Sequence, residues 1–206
     1  MGKAPGVMSR PGPPSIVVVA GPNGAGKTTA APALLRDALG VTEFVNADAI
    51  AQGLSAFNPE RVAITAARLM LARLDELASR RATFAFETTL ASRTFYPWLA
   101  DLVAGGYRFH LLFLWLPSPD FAVARVADRV RRGGHGVPEA VVRRRYEAGL
   151  RNFFMLYQSL ATSWRMYDNS RVSAPRLLAV GGRGTATEIA GEPTWAELTA
   201  RWALDG

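Results

Sequence analysis

Gly21-Pro22-Asn23-Gly24-Ala25-Gly26-Lys27-Thr28-Thr29 follows the spacing of a glycine, four residues and Gly-Lys-Ser/Thr that wraps a backbone loop around nucleotide phosphates. Phosphate oxygens need several donors converging at close range. Glycines let backbone N–H groups turn inward with no Cβ in the way, and a helix that follows presents its positive end. Lys27 is one of only two lysines, the other being Lys3, in a chain with 24 basic residues. A compact ammonium therefore stands where the β- and γ-phosphates must be reached, while arginine serves elsewhere. Thr28 is the expected Mg²⁺ ligand. Gly21, Asn23, Gly24, Ala25, Gly26, Lys27, Thr28 and Thr29 form the expected nucleotide cradle, for ATP or alternatively GTP.

Two acids are placed to work beside that loop. Asp48 follows a strand expected over 43–46 and Glu87 one over 83–86, and ligands of open α/β sheets bind beyond the carboxyl ends of their strands. A carboxylate near a γ-phosphate can accept the proton of an acceptor hydroxyl, and a second can hold the acceptor or a metal-bound water. Asp48 is assigned as the base; the alternative is an N-cap of a helix from Ala49. Glu87 stands either at the acceptor or on the metal side, and Thr88 and Thr89 are alternative caps of the next helix. Ser92 is the expected cap of the next helix, which leaves the hydroxyls of Thr88 and Thr89 free, and Asp120 is the expected cap of a later one.

A third set is basic. Arg125, Arg129 and Arg132 recur at i, i+4 and i+7 beside the apolar line Ala122, Val126 and Val130, so one helix carries both rows. Gly133 and Gly134 end that helix, Pro138 starts another, and Arg143, Arg144 and Arg145 fall in its first two turns. Two helices about a glycine hinge, residues 120–160, read as a lid that brings arginines over a transferring phosphoryl group. Arg145 borders the packing face of the second helix, and Arg144 points away from it as a solvated residue. The alternative for any one of these arginines is a plain solvated face. His135 is expected to shape the hinge.

These groups need a rigid frame. Ile16–Ala20 is an unbroken β-branched run, the pattern of a strand covered on both faces. Further strands are expected over 43–46, 83–86, 109–116, 165–167 and 177–180, and helices over 28–39, 59–80, 93–104, 120–132, 138–162 and 194–204. The alternation gives an α/β fold, a doubly wound and mostly parallel sheet flanked by helices, in one domain from residue 15 after a flexible tail of 1–14. The composition, 49% hydrophobic and 20% charged over 206 residues, is that of a globular domain. The chain has no cysteine, which excludes disulfides and thiolate metal sites, and His110 and His135 alone cannot build a zinc site. A cytoplasmic protein is expected. The longest apolar runs fall far short of the roughly 20 residues of a membrane span. The net charge of +7 is concentrated in 121–151, where eight arginines face three acids. That asks for an anionic partner, either polyphosphate or nucleic acid. A nucleotide-gated nucleic-acid-binding module or a polynucleotide kinase is the alternative to a small-molecule kinase. Tyr146, Phe153, Phe154 and Tyr157 lie mostly on a packing side instead of forming stacking platforms, so nucleic acid is not the expected partner.

Taken in order, GPNGAGKTT, NADAI, FETTL, the stretch RVADRVRRGGHGVPEAVVRRRYEAGLRN and YDNS resemble the zeta toxin family of P-loop kinases over most of residues 15–170. The resemblance implies transfer of the ATP γ-phosphate to a hydroxyl, in the characterised toxins the 3′-hydroxyl of UDP-N-acetylglucosamine. It implies Lys27 and Thr28 at nucleotide and metal, Asp48 as base, Glu87, Thr88 and Thr89 at the acceptor, lid arginines at the γ-phosphate, with Arg129 and Arg145 favoured as catalytic among Arg125, Arg129, Arg132, Arg144 and Arg145 and with Arg125 and Arg132 as nucleotide contacts, and an antitoxin protein as a partner. The chain is shorter than the larger toxins, and part of their sugar-nucleotide pocket is expected to be missing.

Overall fold

The computed structural model describes residues 12–37, 41–171 and 174–202. The expected tail lies mostly outside these residues, but the carbonyl of Pro14 already accepts from Arg108 N–H at 2.9 Å, at the mouth of the sheet. Strand β1, Ser15–Ala20, leads into α1, Lys27–Pro32. Pro32 has no N–H for the next helical bond, and a wider turn, Ala33–Asp37, follows. β2, Phe44–Val45, is followed by α2, Ala47–Leu54, then a 3₁₀ turn, Pro59–Val62, that runs into α3, Ala63–Ser79. β3, Phe84–Thr88, α4, Phe95–Ala104, and β4, Arg108–Trp115, complete the first half. The second holds α5, Pro119–Arg131, α6, Glu139–Asn152, a widened turn, Phe153–Tyr157, and the short α7, Gln158–Leu160. β5, Ser163–Asp168, β6, Arg176–Gly182, β7, Thr185–Ile189, and α8, Thr194–Trp202, close the chain.

The strands form one seven-stranded sheet in the order β2-β3-β1-β4-β5-β6-β7. β1 to β5 are parallel to their neighbours, whereas β6 and β7 return antiparallel. Central β1 shows why its sequence is apolar without alternation. Ile16, Val18 and Ala20 join the large core with Phe84, Phe86, Phe113 and Trp164, and Val17 and Val19 face Ala31, Leu35 and Val41 on the other side. Because β1 lies between β3 and β4, its carboxyl end is the switch point where loops diverge to either side.

Several local expectations are corrected. α2, outside the expected helix ranges, starts two residues before the helix from Ala49 that is the alternative for Asp48, and its cap is Asn46, whose Oδ1 accepts from the N–H of Asp48 at 2.7 Å and of Ala49 at 3.2 Å; Asp48 is not the cap. Ser118, not Asp120, caps α5 by accepting from Phe121 N–H, which leaves Asp120 to pair with Arg143 at 2.5 Å. Ser92 accepts from Thr94 N–H one residue before α4 begins, so it shapes the approach instead of capping the helix. The hydroxyls of Thr88 and Thr89 are not free, since they accept from the N–H groups of Leu90 and Ala91.

The two helices expected as a lid are built into the core. Ala122 and Val126 of α5 and Val142, Tyr146 and Leu150 of α6 are all buried. α6 also grips the loop after β3 through its backbone. Asn152 Nδ2 donates to Leu90 O at 2.7 Å, and Tyr157 in the following turn donates to Ser92 O at 3.2 Å. Burial pushes the phenols of Tyr146 and Tyr157 up to about 12, so both stay protonated as donors, Tyr146 to Leu116 O at 2.7 Å. Gly149 makes the close approach possible, because a Cβ there would lie 2.5 Å from the carbonyl oxygen of Thr89. Gly149→Ala gains about 1 kcal/mol of helix propensity. The backbone it meets cannot swing aside, and overpacking of this kind costs about 1–3 kcal/mol. A melting temperature lowered by several degrees is expected, and an unchanged one would show that α6 does not bear on the loop.

Candidate functional site

The glycine loop is the turn between β1 and α1. Gly24 adopts φ 80°, and a Cβ there would lie 2.9 Å from Ala122 O and 3.0 Å from Arg125 Cβ, so only glycine lets α5 seat against the loop. Asn169, just past β5, also reaches the loop and donates Nδ2–H to Ala25 O at 2.7 Å. The loop is thus held between its neighbours, and within it Ala25 N–H donates to Pro22 O at 3.2 Å.

Lys27 is buried. Its Nζ donates to Pro22 O at 3.0 Å and lies 3.6 Å from Glu87 Oε1. Burial pushes the ammonium below its usual pKa; the carboxylates of Glu87 and Asp48 oppose this, and the charge of Arg129 adds to the depression. Thr28 Oγ1 donates to Glu87 Oε2 at 2.8 Å, and Asn46 Nδ2 donates to the same oxygen at 2.7 Å. Register explains the convergence: Ala20 at the end of β1 pairs with Thr88 of β3, so Glu87 stands beside the loop, and β2 brings Asn46 to the far side of β3. Glu87, expected at the acceptor, is bonded to the loop's own threonine and lysine.

Asn46 was not picked out from the sequence, yet it joins three of the groups that were. One amide caps α2, which carries Asp48, and holds the Glu87 carboxylate that in turn holds Thr28. Asn46→Ala removes a cap worth about 1 kcal/mol and strips a donor from a carboxylate, so about 1–3 kcal/mol of stability loss is expected in urea unfolding. An unchanged midpoint would remove Asn46 from this network.

Asp48 itself is exposed and borders a cavity of about 60 Å³ with Ala51 and His135. The basic residues fall into two groups. Arg129 Nε and Nη2 are buried with no hydrogen-bond partner among the described residues, close enough to Lys27 to lower its pKa. Arg145 Nη1 reaches across to Asn23 Oδ1 at 3.5 Å, and Arg125 sits over Gly24 with Nη2 donating to Ser170 O at 2.9 Å. Arg132 and Arg144 are exposed, and Arg143 binds Asp120 and Glu139. His135 in the connection between α5 and α6 lies 3.0 Å from Glu60. The structure therefore brings together Lys27, Thr28, Glu87, Asp48, Arg125, Arg129 and Arg145 around one loop, and leaves Arg132 and Arg144 outward.

Residues 16–155 match the family described as AAA domain. The chain belongs to that AAA domain family. An uncharacterized protein of Haemophilus influenzae is 27% identical to it over 126 residues, 61% of this chain and 88% of the relative. Among solved structures, a chain of the AvrRxo1-ORF1:AvrRxo1-ORF2 complex with sulphate ions matches 90% of this chain at 17% identity and a TM-score of 0.70. The same assembly with ATP matches 93% at a TM-score of 0.69 and 17% identity. This AAA domain spans 63% and 64% of those two chains' own length. The PezAT toxin-antitoxin system of Streptococcus pneumoniae is similar over 81% of this chain and 72% of its own, with a TM-score of 0.59 and 15% identity. At such identities the likeness establishes the fold alone, a mostly parallel P-loop NTPase-like sheet with its flanking helices.

The AAA domain's donor set suits a nucleoside triphosphate with Mg²⁺. Buried guanidinium nitrogens without partners beside a buried ammonium call for an anion. A threonine hydroxyl with a carboxylate behind it is the kind of sparse protein set on which Mg²⁺ sits together with substrate phosphates. No cluster of three or more acidic, histidine or cysteine ligands occurs among the described residues, consistent with that sparse set. No helix of the described residues is long and apolar enough to cross a membrane.

Proposed function

We propose that this AAA domain is an ATP-dependent kinase that transfers the γ-phosphate to a hydroxyl of a small molecule, with GTP as the alternative donor. The observation that carries it is Arg129: its two buried guanidinium nitrogens have no hydrogen-bond partner among the described residues, and its charge is near enough to depress Lys27, so the pair is costly alone and is relieved by a polyphosphate bound beside it. The solved AvrRxo1-ORF1:-ORF2 complex with ATP supports a nucleotide on this fold.

Asn23 through Thr29 hold the phosphates, Lys27 reaches the β- and γ-groups, and Arg125 flanks the loop on the side of Asn169 and Ser170. Mg²⁺, held at Thr28 with Glu87 behind it, supplies charge neutralisation on the phosphates when bound. The Asp48 carboxylate takes the proton of the acceptor hydroxyl. The acceptor oxygen forms a bond to the γ-phosphorus as the bond to the β,γ-bridging oxygen breaks, and ADP leaves with that electron pair. Arg129 and Arg145 stabilise charge spreading over the transferred group. Thr88 and Thr89 shape the acceptor side through their loop. The resemblance to the zeta toxin family makes UDP-N-acetylglucosamine the first acceptor to try. The similarity to the PezAT toxin-antitoxin system supports an antitoxin protein as a partner.

The test is incubation with γ-labelled ATP, Mg²⁺ and a panel of hydroxyl acceptors including UDP-N-acetylglucosamine. Label recovered on an acceptor, and lost with Lys27→Ala, supports the kinase; label that stays in ATP with every acceptor excludes it.

A further inference from the structure

Two cavities meet beside Asp48. The inner one, of about 60 Å³, shares Gln52, Pro59 and His135 with an outer one of about 560 Å³ that opens between α2 and the connection from α5 to α6. That outer volume lies within the roughly 300–1,000 Å³ range of small-molecule sites. A molecule seated in it can extend a hydroxyl through the inner cavity to the Asp48 carboxylate.

The walls tell what kind of molecule. Phe57 stands in the outer wall with its surface 95% exposed, a phenyl face offered to whatever enters. Glu60 is in the same wall, with its side chain 69% exposed, and Asp48 is in the inner one. No lysine or arginine lines either cavity among the described residues, in a chain with 24 basic residues. The one cationic candidate, His135, has its Nδ1 3.0 Å from Glu60. Of the neighbouring arginines, Arg145 reaches Asn23 and Arg143 binds Asp120 and Glu139, whereas Arg129 and the exposed Arg132 adjoin Gly134 and Gly133 of the outer wall without lining it. A diphosphate placed in this cleft would stand against two carboxylates with no guanidinium in either wall, which disfavours it. An ammonium or a neutral ring meets no such penalty, and the phenyl face rewards either one.

Resting on the phosphotransfer proposed above, we infer that the acceptor is a neutral or cationic hydroxyl compound carrying a ring that packs on Phe57, and not a sugar joined to a nucleoside diphosphate. Phe57 and Glu60 then set specificity: the ring holds the distal end of the acceptor, and the carboxylate selects against anions.

The experiment measures label transfer from γ-labelled ATP to phenyl β-D-glucoside, phenyl β-D-glucosaminide and UDP-N-acetylglucosamine, by the wild type and by Phe57→Ala and Glu60→Lys. Both side chains are on the surface, so neither variant endangers folding. Expected are transfer to the neutral and cationic glycosides in preference to the sugar nucleotide, and a KM for the glycosides raised about tenfold by Phe57→Ala, as fits loss of one ring contact. Glu60→Lys should shift the kcat/KM ratio of glucosaminide over sugar nucleotide about tenfold toward the anion. Preference for UDP-N-acetylglucosamine, or a Phe57→Ala variant with glycoside KM unchanged, overturns the inference and leaves the kinase standing. Transfer to none of the three removes the acceptor class, and only silence across the wider acceptor panel removes the kinase with it.

Discussion

Arg129→Ala is expected to abolish most phosphoryl transfer while leaving the ligand-free protein as stable as before or more so. The two effects have one cause. In the folded chain the guanidinium lies partly buried, with Nε and Nη2 unpartnered, and its charge pushes Lys27 toward deprotonation. An unmade buried hydrogen bond costs about 1–3 kcal/mol, so truncation relieves a cost and not a support. During transfer the same group would meet the charge of the γ-phosphoryl, where an arginine contributes on the order of 10³-fold or more in rate. The paired measurement is kcat with ATP and a working acceptor, and the melting temperature with and without ATP. A variant that melts well below the wild type without ligand would make Arg129 an ordinary structural residue. A variant with undiminished kcat would remove it from the reaction.

Asp48→Asn is the second large effect. Asp48 accepts no hydrogen bond in the cap of α2, because Asn46 fills that position, and its side chain is exposed beside the inner cavity. The substitution keeps size and shape while removing the basic lone pair and the charge. Loss of kcat of about 10²–10⁴-fold follows if the carboxylate takes the acceptor proton. ATP affinity is expected to stay within a few fold, since Lys27 and the loop N–H groups are unaffected in position. Asp48 also raises the pKa of Lys27, so the variant should show a lysine that loses its proton at lower pH than in the wild type. Unchanged kcat with a full panel of acceptors would take the base assignment away from Asp48.

What could be read from the sequence was local. The apolar run of β1 and the glycine spacing that follows are each complete within a few residues, and both stand where expected. So are the ends of α5 and α6, marked by Gly133 and Pro138. β7 escaped because all five of its residues are exposed, and an edge strand without a buried face carries no alternation to detect. α2 escaped because it buries only Ala51 in eight residues, too little for a helical stripe. The tie between Thr28 and Glu87 spans 59 positions of sequence and depends on β3 lying beside β1, which spacing alone does not reveal. Asn46 and Asp48 are two short polar residues on either side of Ala47, and only the onset of helical geometry at Ala47 decides which of them caps.

The attachment of α6 to the loop after β3 has a consequence for how the molecule breathes. Leu90 O, Ser92 O and the tight approach at Thr89 bind that loop to the helix that carries Arg145. Amide groups on the two segments should therefore lose protection from deuterium exchange together, as one cooperative unit, however far apart they lie along the chain.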